Sequence, residues 1–256
     1  MIYAMSDIHG CLEAFEEKLS QVEHEKNDRL ILLGDYIDYG RESGQVLKRI
    51  YNLQQKYGDK KVIALKGNHE DMLLTWIDTF RNPVNPAMES AVFDGWLRTD
   101  DMQGNIAYRT LISEKAFAHY TEIAKTASFS QINHVAAELL LSEQGKLIDW
   151  IRNMPLYYQT DTQIFVHAGV NEEAEDLWMH GTPDHVFLWK YPATVGTFYK
   201  TIIAGHVGTH RLAEDDNYHD IFYDGASHFY IDGTVYNGGQ LNLLVYDEKK
   251  KEYHSS

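Results

Sequence analysis

Five short apolar runs, rich in β-branched residues, stand out along the chain. They cover residues 2–5, 30–33, 62–65, 164–166 and 201–204. Each run is too short for a helix, and near-continuous apolar runs of this length are typical of strands that are buried on both faces. Between the first three runs, apolar residues recur at helical spacing over 12–22 and 46–53. The first third of the chain is therefore predicted to fold as βαβαβ, the pattern of a layered α/β protein.

The pattern changes over residues 71–155, where helical periodicity replaces the strand-like runs. Apolar positions over 72–80 predict a helix that ends before Pro83, and those over 117–124 and 135–151 predict further helices, the last ending before Pro155. We interpret residues 71–155 as a mostly helical, cap-like insertion within a single domain that spans residues 1–256.

Beyond Gly205, glycine-containing turns separate short apolar segments at 229–231, 234–236 and 241–246. Turns such as Asp224-Gly225 and Asp232-Gly233 between such segments predict antiparallel hairpins. The acidic segment 171–176 has no apolar periodicity, and we interpret it as solvated surface.

Charge and composition limit the possible partners of the chain. The 256 residues carry a formal net charge of −15, which opposes binding to nucleic acid and to acidic membranes, so a polyphosphate ligand needs a local positive centre. The one cysteine, Cys11, excludes an intrachain disulfide and a cysteine-built zinc site. No apolar run approaches the roughly 18–20 residues of a membrane span, and the start lacks the basic residues of a signal peptide, which together predict a cytoplasmic protein.

Polar residues that can act as ligands or acids follow each of the five apolar runs. The segments are Asp7-Ile8-His9-Gly10, Gly34-Asp35-Tyr36-Ile37-Asp38, Gly67-Asn68-His69-Glu70, His167-Ala168-Gly169 and Gly205-His206. Ligands of open α/β sheets bind outside the carboxyl ends of the strands, so these five loops are expected to converge on one crevice.

Carboxylates, imidazoles and one amide oxygen are donors that suit Mn²⁺, Fe or Zn²⁺ better than Ca²⁺. Asp35 can bridge two ions, which leaves Asp7 and His9 for one ion and three residues, Asn68, His167 and His206, for the other. Two ions about 3.5–4 Å apart can lower the pKa of a bridging water and clamp a phosphoryl group. Taken singly, each motif also fits a polar turn, a helix N-cap or a strand-end histidine, whereas the joint pattern is far more specific.

These five motifs resemble the signature of the calcineurin-like metallophosphoesterases, especially the phosphoprotein phosphatase branch. That branch includes bacterial symmetrical diadenosine tetraphosphatases and protein Ser/Thr phosphatases. The resemblance implies a four-layer α/β/β/α sandwich of two mixed sheets and the metal assignment given above, with Mn²⁺ preferred over Fe or Zn²⁺. It also implies that His69 protonates the leaving oxygen while Asp38 orients His69, a pairing that raises the imidazole pKa.

Two positions depart from the family pattern. Tyr39 follows Asp38 where the family has an arginine that binds phosphate, and Lys190 stands where bacterial members often carry arginine. Arg41 is either a replacement phosphate ligand or a solvated loop cation, and Tyr39 is either a hydrogen-bond donor to phosphate or a packed aromatic. A lysine offers a point charge rather than a planar fork.

The motifs together predict a metal-dependent phosphoesterase. The expected substrates are small phosphate esters or nucleoside polyphosphates, hydrolysed by attack of a metal-bridging hydroxide. A protein Ser/Thr phosphatase is the alternative within enzymes, and a non-catalytic metal-binding scaffold is the alternative outside them. The complete ligand set and His69 argue against a scaffold. The helical insertion begins and ends beside the active-site loops, so we expect the stretch 82–104 to act as a lid that sets substrate preference.

Overall fold

A computed structural model describes residues 1–25, 27–81 and 102–255, and the side chains of these residues except those of 102–105. The first half of the chain contains β1 (Ile2–Met5), α1 (Leu12–Leu19), β2 (Arg29–Leu32), α2 (Ser43–Tyr57), β3 (Val62–Ala64), α3 (Asn68–Arg81), α4 (Met102–Leu111), α5 (Glu114–Ala124) and α6 (Phe129–Arg152). The second half contains β4 (Tyr157–Gln159), β5 (Gln163–Val166), α7 (Trp178–Gly181), α8 (Asp184–Trp189), β6 (Thr201–Ala204), α9 (Thr209–Ala213), β7 (Phe222–Tyr223), β8 (His228–Tyr230), β9 (Leu244–Asp247) and β10 (Glu252–Ser255). All five apolar runs form strands, and the βαβαβ prediction is confirmed.

The strands form two five-stranded mixed sheets. In the first sheet the order is β10-β9-β1-β2-β3, with β1, β2 and β3 parallel and β9 antiparallel to β1. In the second the order is β4-β5-β6-β8-β7, with β5, β6 and β8 parallel and the two outer strands antiparallel. Each sheet therefore has three parallel strands, whose carboxyl ends meet at one edge.

Three buried apolar clusters give the molecule four layers. Ile31 and Ile203 belong to the cluster between the two sheets. On the outer face of the first sheet, Leu32 packs in one cluster with residues of α1, α2, α3, α4 and α6. On the outer face of the second sheet, Val166 packs with Trp178 and Phe187 of α7 and α8. The predicted α/β/β/α sandwich is confirmed. None of the described helices is long and apolar enough to cross a membrane.

The helices predicted within residues 71–155 are present as α3, α5 and α6, and α4 is an addition that the sequence pattern did not indicate. Most of their buried residues share the core of the first sheet, and α3 packs along α6. Near the site, the backbone N–H of Gly44 in α2 donates a hydrogen bond to Oγ1 of Thr110 in α4. The lid prediction rests largely on residues 82–101, which lie outside the described residues, so the cap-like role of the insertion stays a prediction.

The hairpin prediction for the segment after Gly205 is partly wrong. Residues 235–237 form a 3₁₀ helix instead of a strand, because Thr234 adopts a left-handed backbone with φ 52° and the chain closes on itself through the hydrogen bond from Gln240 N to Gly233 O. The strands on either side of this turn, β8 and β9, belong to different sheets and cannot pair. The hairpins that do form join β7 to β8 and β9 to β10.

Candidate metal centre and active site

Loops from both sheets meet at the carboxyl ends of the parallel strands. Asp7 and His9 follow β1, Asp35 and Asp38 follow β2, and Asn68 and His69 begin α3 after β3; His167 follows β5 and His206 follows β6. Five of the six predicted ligands are buried side chains with at most 4% exposure, and His206 is partly buried. The structure thus brings all six together with His69 and Asp38.

Asp35 lies in the middle of the cluster. Its Oδ2 is 3.6 Å from Nε2 of His9, 3.5 Å from Nε2 of His167 and 3.8 Å from Nε2 of His69. Two groups of side chains have ligand atoms close enough to hold an ion, one with His9, Asp35 and His69 and the other with Asp35, His167 and His206. Asp35 belongs to both groups, which is the position of a bridging ligand.

Asn68 joins the second group, and Asp7 lies beside the first. Oδ1 of Asn68 is 2.7 Å from Nε2 of His167 and 3.1 Å from Nδ1 of His206. Oδ1 of Asp7 is 3.9 Å from Nε2 of His9, and its other oxygen accepts a hydrogen bond from the backbone N–H of His206 at 3.0 Å. Asp7 therefore also connects the β1 loop of the first sheet to the β6 loop of the second.

Backbone carbonyls fix which nitrogen of each buried imidazole faces the cluster. Nδ1 of His9 lies 2.8 Å from the carbonyl of Ile37, and Nδ1 of His167 lies 2.9 Å from the carbonyl of Leu33. Each Nδ1–H donates to its carbonyl, so each Nε2 presents a lone pair to the cluster, as histidine ligands of metals do. The lone pair of His167 then faces the amide oxygen of Asn68, an arrangement that a cation bound by both atoms stabilises.

Burial opposes ionisation of this cluster. Burial raises the pKa of Asp35 to about 7 and, with the charges of Asp232 and Asp35, raises the pKa of Asp7 well above its usual range. Burial also lowers the pKa values of His9 and His167 far below normal, which keeps these imidazoles neutral. Neutral imidazoles and carboxylates are the donors that a divalent cation binds. The residues present therefore fit a metal centre.

The loops that carry these side chains have an unusual backbone. Left-handed φ values occur at six positions in them: Asp7 (55°), His9 (46°), Asp35 (56°), Asp38 (71°), Tyr39 (60°) and His206 (64°). Asp and His adopt this conformation more readily than most residues, and non-glycine residues in it cluster at functional sites because the surrounding structure must hold them there. Tyr39 is the one residue of the six with no such tolerance.

Glu70 holds two of the loops in place, a role that the sequence analysis did not assign. Its fully buried carboxylate accepts hydrogen bonds from the backbone N–H groups of Asp35 (2.9 Å), Tyr36 (2.8 Å) and Gly67 (3.0 Å). A side chain on Gly67 would meet Oδ1 of Asp35 at 2.2 Å, so the two loops touch. Glu70 is part of the Gly-Asn-His-Glu motif, but its role could not be predicted from the sequence, because the three backbone donors converge on it only in the folded chain.

His69 is oriented by a hydrogen bond to Asp38, in addition to its contacts with the ligand cluster. Nδ1 of His69 lies 2.6 Å from Oδ2 of Asp38. The backbone N–H of Asp38 in turn donates a hydrogen bond to Oγ of Ser43. Burial lowers the pKa of His69, but the negative charge of Asp35 and the hydrogen bond to Asp38 outweigh burial and raise this pKa to about 9. His69 is therefore protonated at neutral pH, with Nε2 on the side of Asp35.

The three residues predicted to contact phosphate lie in different surroundings. Arg41 is exposed, whereas Nζ of Lys190 donates to the carbonyl of Val170 (2.6 Å) and to Glu172 (2.9 Å). Tyr39 stacks on Tyr236 at the edge of the cluster. The interpretation of segment 171–176 as solvated surface is wrong for Glu172, because its partly buried carboxylate also bonds to His228, whereas the other acidic residues of the segment are exposed.

Known proteins resemble this chain in sequence. The symmetrical bis(5'-nucleosyl)-tetraphosphatase of Acidovorax sp. (strain JS42) is 27% identical over 186 residues, 69% of this chain and 58% of that protein. The corresponding protein of Pseudomonas putida (strain GB-1) is 31% identical over 106 residues, 38% and 35% of the two chains. The chain thus spans less than two thirds of the length of these relatives.

Solved structures show the same fold at low sequence identity. The cold-active protein-tyrosine phosphatase of a psychrophilic Shewanella superimposes with a TM-score of 0.52 at 14% identity, covering 99% of this chain and 79% of that one. A model of the calcineurin-like phosphoesterase family matches residues 1–210, a range that contains every loop of the metal centre. Because this match takes in most of the chain, the protein belongs to the calcineurin-like phosphoesterase family.

Proposed function

We propose that the chain is a dinuclear-metal-dependent phosphoesterase that hydrolyses nucleoside polyphosphates. The observation that carries this proposal is the position of Asp35, which is shared by two groups of ligand atoms and lies 3.8 Å from Nε2 of His69. The tetraphosphatase names of the relatives support the substrate class. Mn²⁺ is the preferred ion, with Fe or Zn²⁺ as alternatives, because nitrogen and oxygen donors are mixed and thiolates are absent from the set.

The residues around the centre divide the work of the reaction. Asp7, His9, Asp35, Asn68, His167 and His206 would hold two ions, which when bound supply an activated water and neutralise phosphoryl charge. His69 donates the proton on its Nε2 to the leaving oxygen. Asp38 holds Nδ1 of His69 at 2.6 Å, which fixes the direction of Nε2 and favours the charged imidazolium.

Hydrolysis assays with defined metals test this function. The protein, loaded with Mn²⁺, should hydrolyse a bis(5'-nucleosyl) tetraphosphate with a higher kcat/KM than a phosphodiester or a phosphoserine peptide. Asp35→Asn should abolish turnover and weaken binding of both ions, measured by elemental analysis. Asp59→Asn, which changes an exposed carboxylate in the turn before β3, is the matched control and should keep both properties.

Other outcomes identify the alternatives. A phosphoserine or phosphothreonine peptide hydrolysed with the highest kcat/KM would establish a protein phosphatase instead. Two bound ions without hydrolysis of any of these esters would establish a metal-binding scaffold. Two tightly held ions together with normal activity in Asp35→Asn would contradict the assignment of Asp35 as the bridge.

A further inference from the structure

We propose that a cavity between β3 and β4 binds a nucleoside monophosphate at a site separate from the metal centre. β3 is an edge strand of the first sheet and β4 is an edge strand of the second, and residues of both strands line the cavity. Arg29, Asp59 and Lys60 line it near the amino ends of β2 and β3, whereas the ligand loops follow the carboxyl ends of these strands. Binding here goes beyond the proposed phosphoesterase function and does not depend on it.

The size and the walls of the cavity suit a planar ring. Its volume is about 610 Å³, within the range of about 300–1,000 Å³ that is typical of pockets for small ligands. Three partly buried aromatic side chains line it, those of Trp150, Tyr157 and Tyr158, and Ile63 and Met154 add apolar surface. Aromatic side chains offer large, rigid contact surfaces, and nucleobases stack on them. The lining therefore favours a flat aromatic ligand over a flexible polar one.

The backbone of Ala64 offers this cavity one donor and one acceptor. The carbonyl of Lys61 and the N–H of Leu65 bond to β2, so residues 61, 63 and 65 face β2 and residues 62 and 64 face away from it. Among the described residues, neither the N–H nor the carbonyl of Ala64 has a hydrogen-bond partner, although Ala64 is only 1% exposed and lines the cavity. Buried backbone groups are nearly always paired, so these two need a partner that the described residues do not supply.

The open part of this strand edge is one residue long, which favours a small molecule over an added strand. The N–H of Val62 donates to the carbonyl of Gly58, and the carbonyl of Val62 accepts a hydrogen bond from Nε2 of Gln54. On the other side, the N–H of Lys66 donates to the carbonyl of Pro155. An added strand needs several open positions in succession. One donor beside one acceptor instead matches the hydrogen-bonding edge of a nucleobase, which proteins read in pockets with aromatic and apolar walls.

Charged side chains near the amino ends of β2 and β3 suit a phosphate and a ribose. The exposed ammonium group of Lys60 makes no hydrogen bond or ion pair with any described residue. The guanidinium of Arg29 donates to the hydroxyl of Tyr158 at 3.1 Å and pairs with Glu248. One free cation and one that is shared with a carboxylate suit a single phosphate group, held by charge-assisted hydrogen bonds. The carboxylate of Asp59 can accept hydrogen bonds from ribose hydroxyls, as acidic residues of nucleotide sites do.

A titration followed by NMR tests binding at this site alone. Zn²⁺-loaded protein avoids the line broadening caused by Mn²⁺, and 5'-phosphonates of adenosine, guanosine, cytidine and uridine avoid hydrolysis at the metal centre. At least one of the four should shift the amide resonance of Ala64, because its N–H gains an acceptor. Methylphosphonate lacks the ring and should leave this resonance in place.

Lys60→Ala separates the phosphate contact from the ring contact. This variant should raise the Kd of the responding phosphonate, measured at Ala64, by about two- to fivefold, the effect of an exposed ion pair. The Kd of the parent nucleoside should not change. Lys115→Ala, which changes an exposed lysine of α5 that does not line the cavity, is the matched control and should keep both Kd values. Neither variant should change kcat/KM for a bis(5'-nucleosyl) tetraphosphate.

Three results would overturn the nucleotide site. No shift at Ala64 with any of the four phosphonates would mean that the cavity holds only water. A shift with benzoate as large as that with the nucleoside phosphonates would mean that the cavity accepts any aromatic acid. Equal effects of Lys60→Ala and Lys115→Ala would remove the phosphate contact. A metal-loaded protein that hydrolyses no phosphate ester, with the response of Ala64 intact, would instead contradict the phosphoesterase function and leave this site in place.

Discussion

At the scale of single residues, the chemistry of the site depends on which nitrogen of each histidine is free. Backbone carbonyls of Leu33 and Ile37 occupy one nitrogen of His167 and of His9, and a carboxylate occupies one nitrogen of His69. His9 and His167 with their carbonyl partners are neutral imidazoles that can bind metal, whereas the charge of Asp35 and the hydrogen bond to Asp38 raise the pKa of His69, so that this imidazole can donate a proton. Histidine side chains therefore serve both as metal ligands and as a proton donor within one cluster.

The role of His69 as proton donor predicts a dependence on the leaving group. His69→Ala should lower kcat for an alkyl phosphate by about 10²–10⁴-fold, the usual contribution of a general acid. The loss should be smaller for p-nitrophenyl phosphate, because nitrophenolate leaves readily without a proton. Asp38→Asn should show a milder version of the same difference. Steady-state rates on both esters, with metal content measured in parallel, check this prediction.

Two outcomes would assign His69 another role. Equal losses on the two esters would show that His69 does not protonate the leaving group. A metal-depleted His69→Ala protein would show that His69 is a ligand. Nε2 of His69 lies 3.8 Å from Oδ2 of Asp35, so this alternative is within reach of the geometry.

A second histidine with a raised pKa, His228, predicts a pH dependence of stability. His228 is buried between Asp224, 2.7 Å from Nδ1, and Glu172, 3.1 Å from Nε2. Burial lowers the pKa of His228, but the hydrogen bonds to these two carboxylates outweigh burial and raise it above 6.5. Backbone N–H groups that bond to Asp224 outweigh its burial and bring its pKa to about 2, so Asp224 stays ionised near neutral pH.

Because its pKa is higher in the folded than in the unfolded protein, His228 stabilises the fold fully below about pH 6.5, and this contribution disappears as pH rises through the folded-state pKa. His228→Gln should therefore cost about 1.5–3 kcal/mol at pH 6 and less at pH 9. Urea unfolding at both pH values measures the difference, with His185→Gln at an exposed position as control. A cost that is the same at both pH values would contradict a charged His228.

At the scale of elements, sequence periodicity gave good predictions where burial alone decides the structure. The five strands and α1, α2, α3, α5 and α6 all follow from apolar spacing, because each has a continuous buried stripe. The sequence pattern missed α4. The turn at Thr234 was predicted as a strand because a left-handed residue leaves no trace in an apolar pattern. The ligands were predictable from strand ends, whereas Tyr236 was not, since it comes from this turn.

The contact between α2 and α4 gives a prediction at this scale. A methyl group on Gly44 would lie 2.2 Å from the carbonyl oxygen of Thr110, a backbone atom that cannot move aside cheaply. Gly44→Ala should therefore destabilise the protein by about 1–3 kcal/mol. Gly145 lies in α6 with open space around it, so Gly145→Ala should stabilise by about 0.4–1 kcal/mol. Urea denaturation of both variants checks the opposite signs, and destabilisation of similar size in both would contradict the close contact.

At the scale of the whole molecule, the metal centre connects the two sheets. Asp7, Asp35 and Asn68 follow strands of the first sheet, and His167 and His206 follow strands of the second. An ion held by residues of both sheets binds only when the two sheets are packed together. Metal binding is therefore expected to stabilise the global fold rather than a single loop.

Removal of metal should lower the melting temperature. A ligand at 100 times its Kd stabilises the folded state by about 2.7 kcal/mol, which corresponds to about 5–10 °C for a chain of this size. Calorimetry of the Mn²⁺-loaded protein with and without a chelator measures the shift. Asp35→Asn should remove most of it and Asp59→Asn should not. An unchanged melting temperature on chelation would show that the centre does not hold the two sheets together.

The pairing of β9 with β1 has a consequence for the order in which the molecule is made. During synthesis β1 emerges before β2 and β3, yet its partner on the other side, Leu244–Asp247, emerges only after all the ligand loops. Until then one edge of β1 lacks its hydrogen-bonding partner, and open strand edges invite pairing with other chains. The ribosome thus delivers every ligand loop of the metal centre before the sheet that supports three of them is complete, and one edge of β1 stays open until β9 has been made.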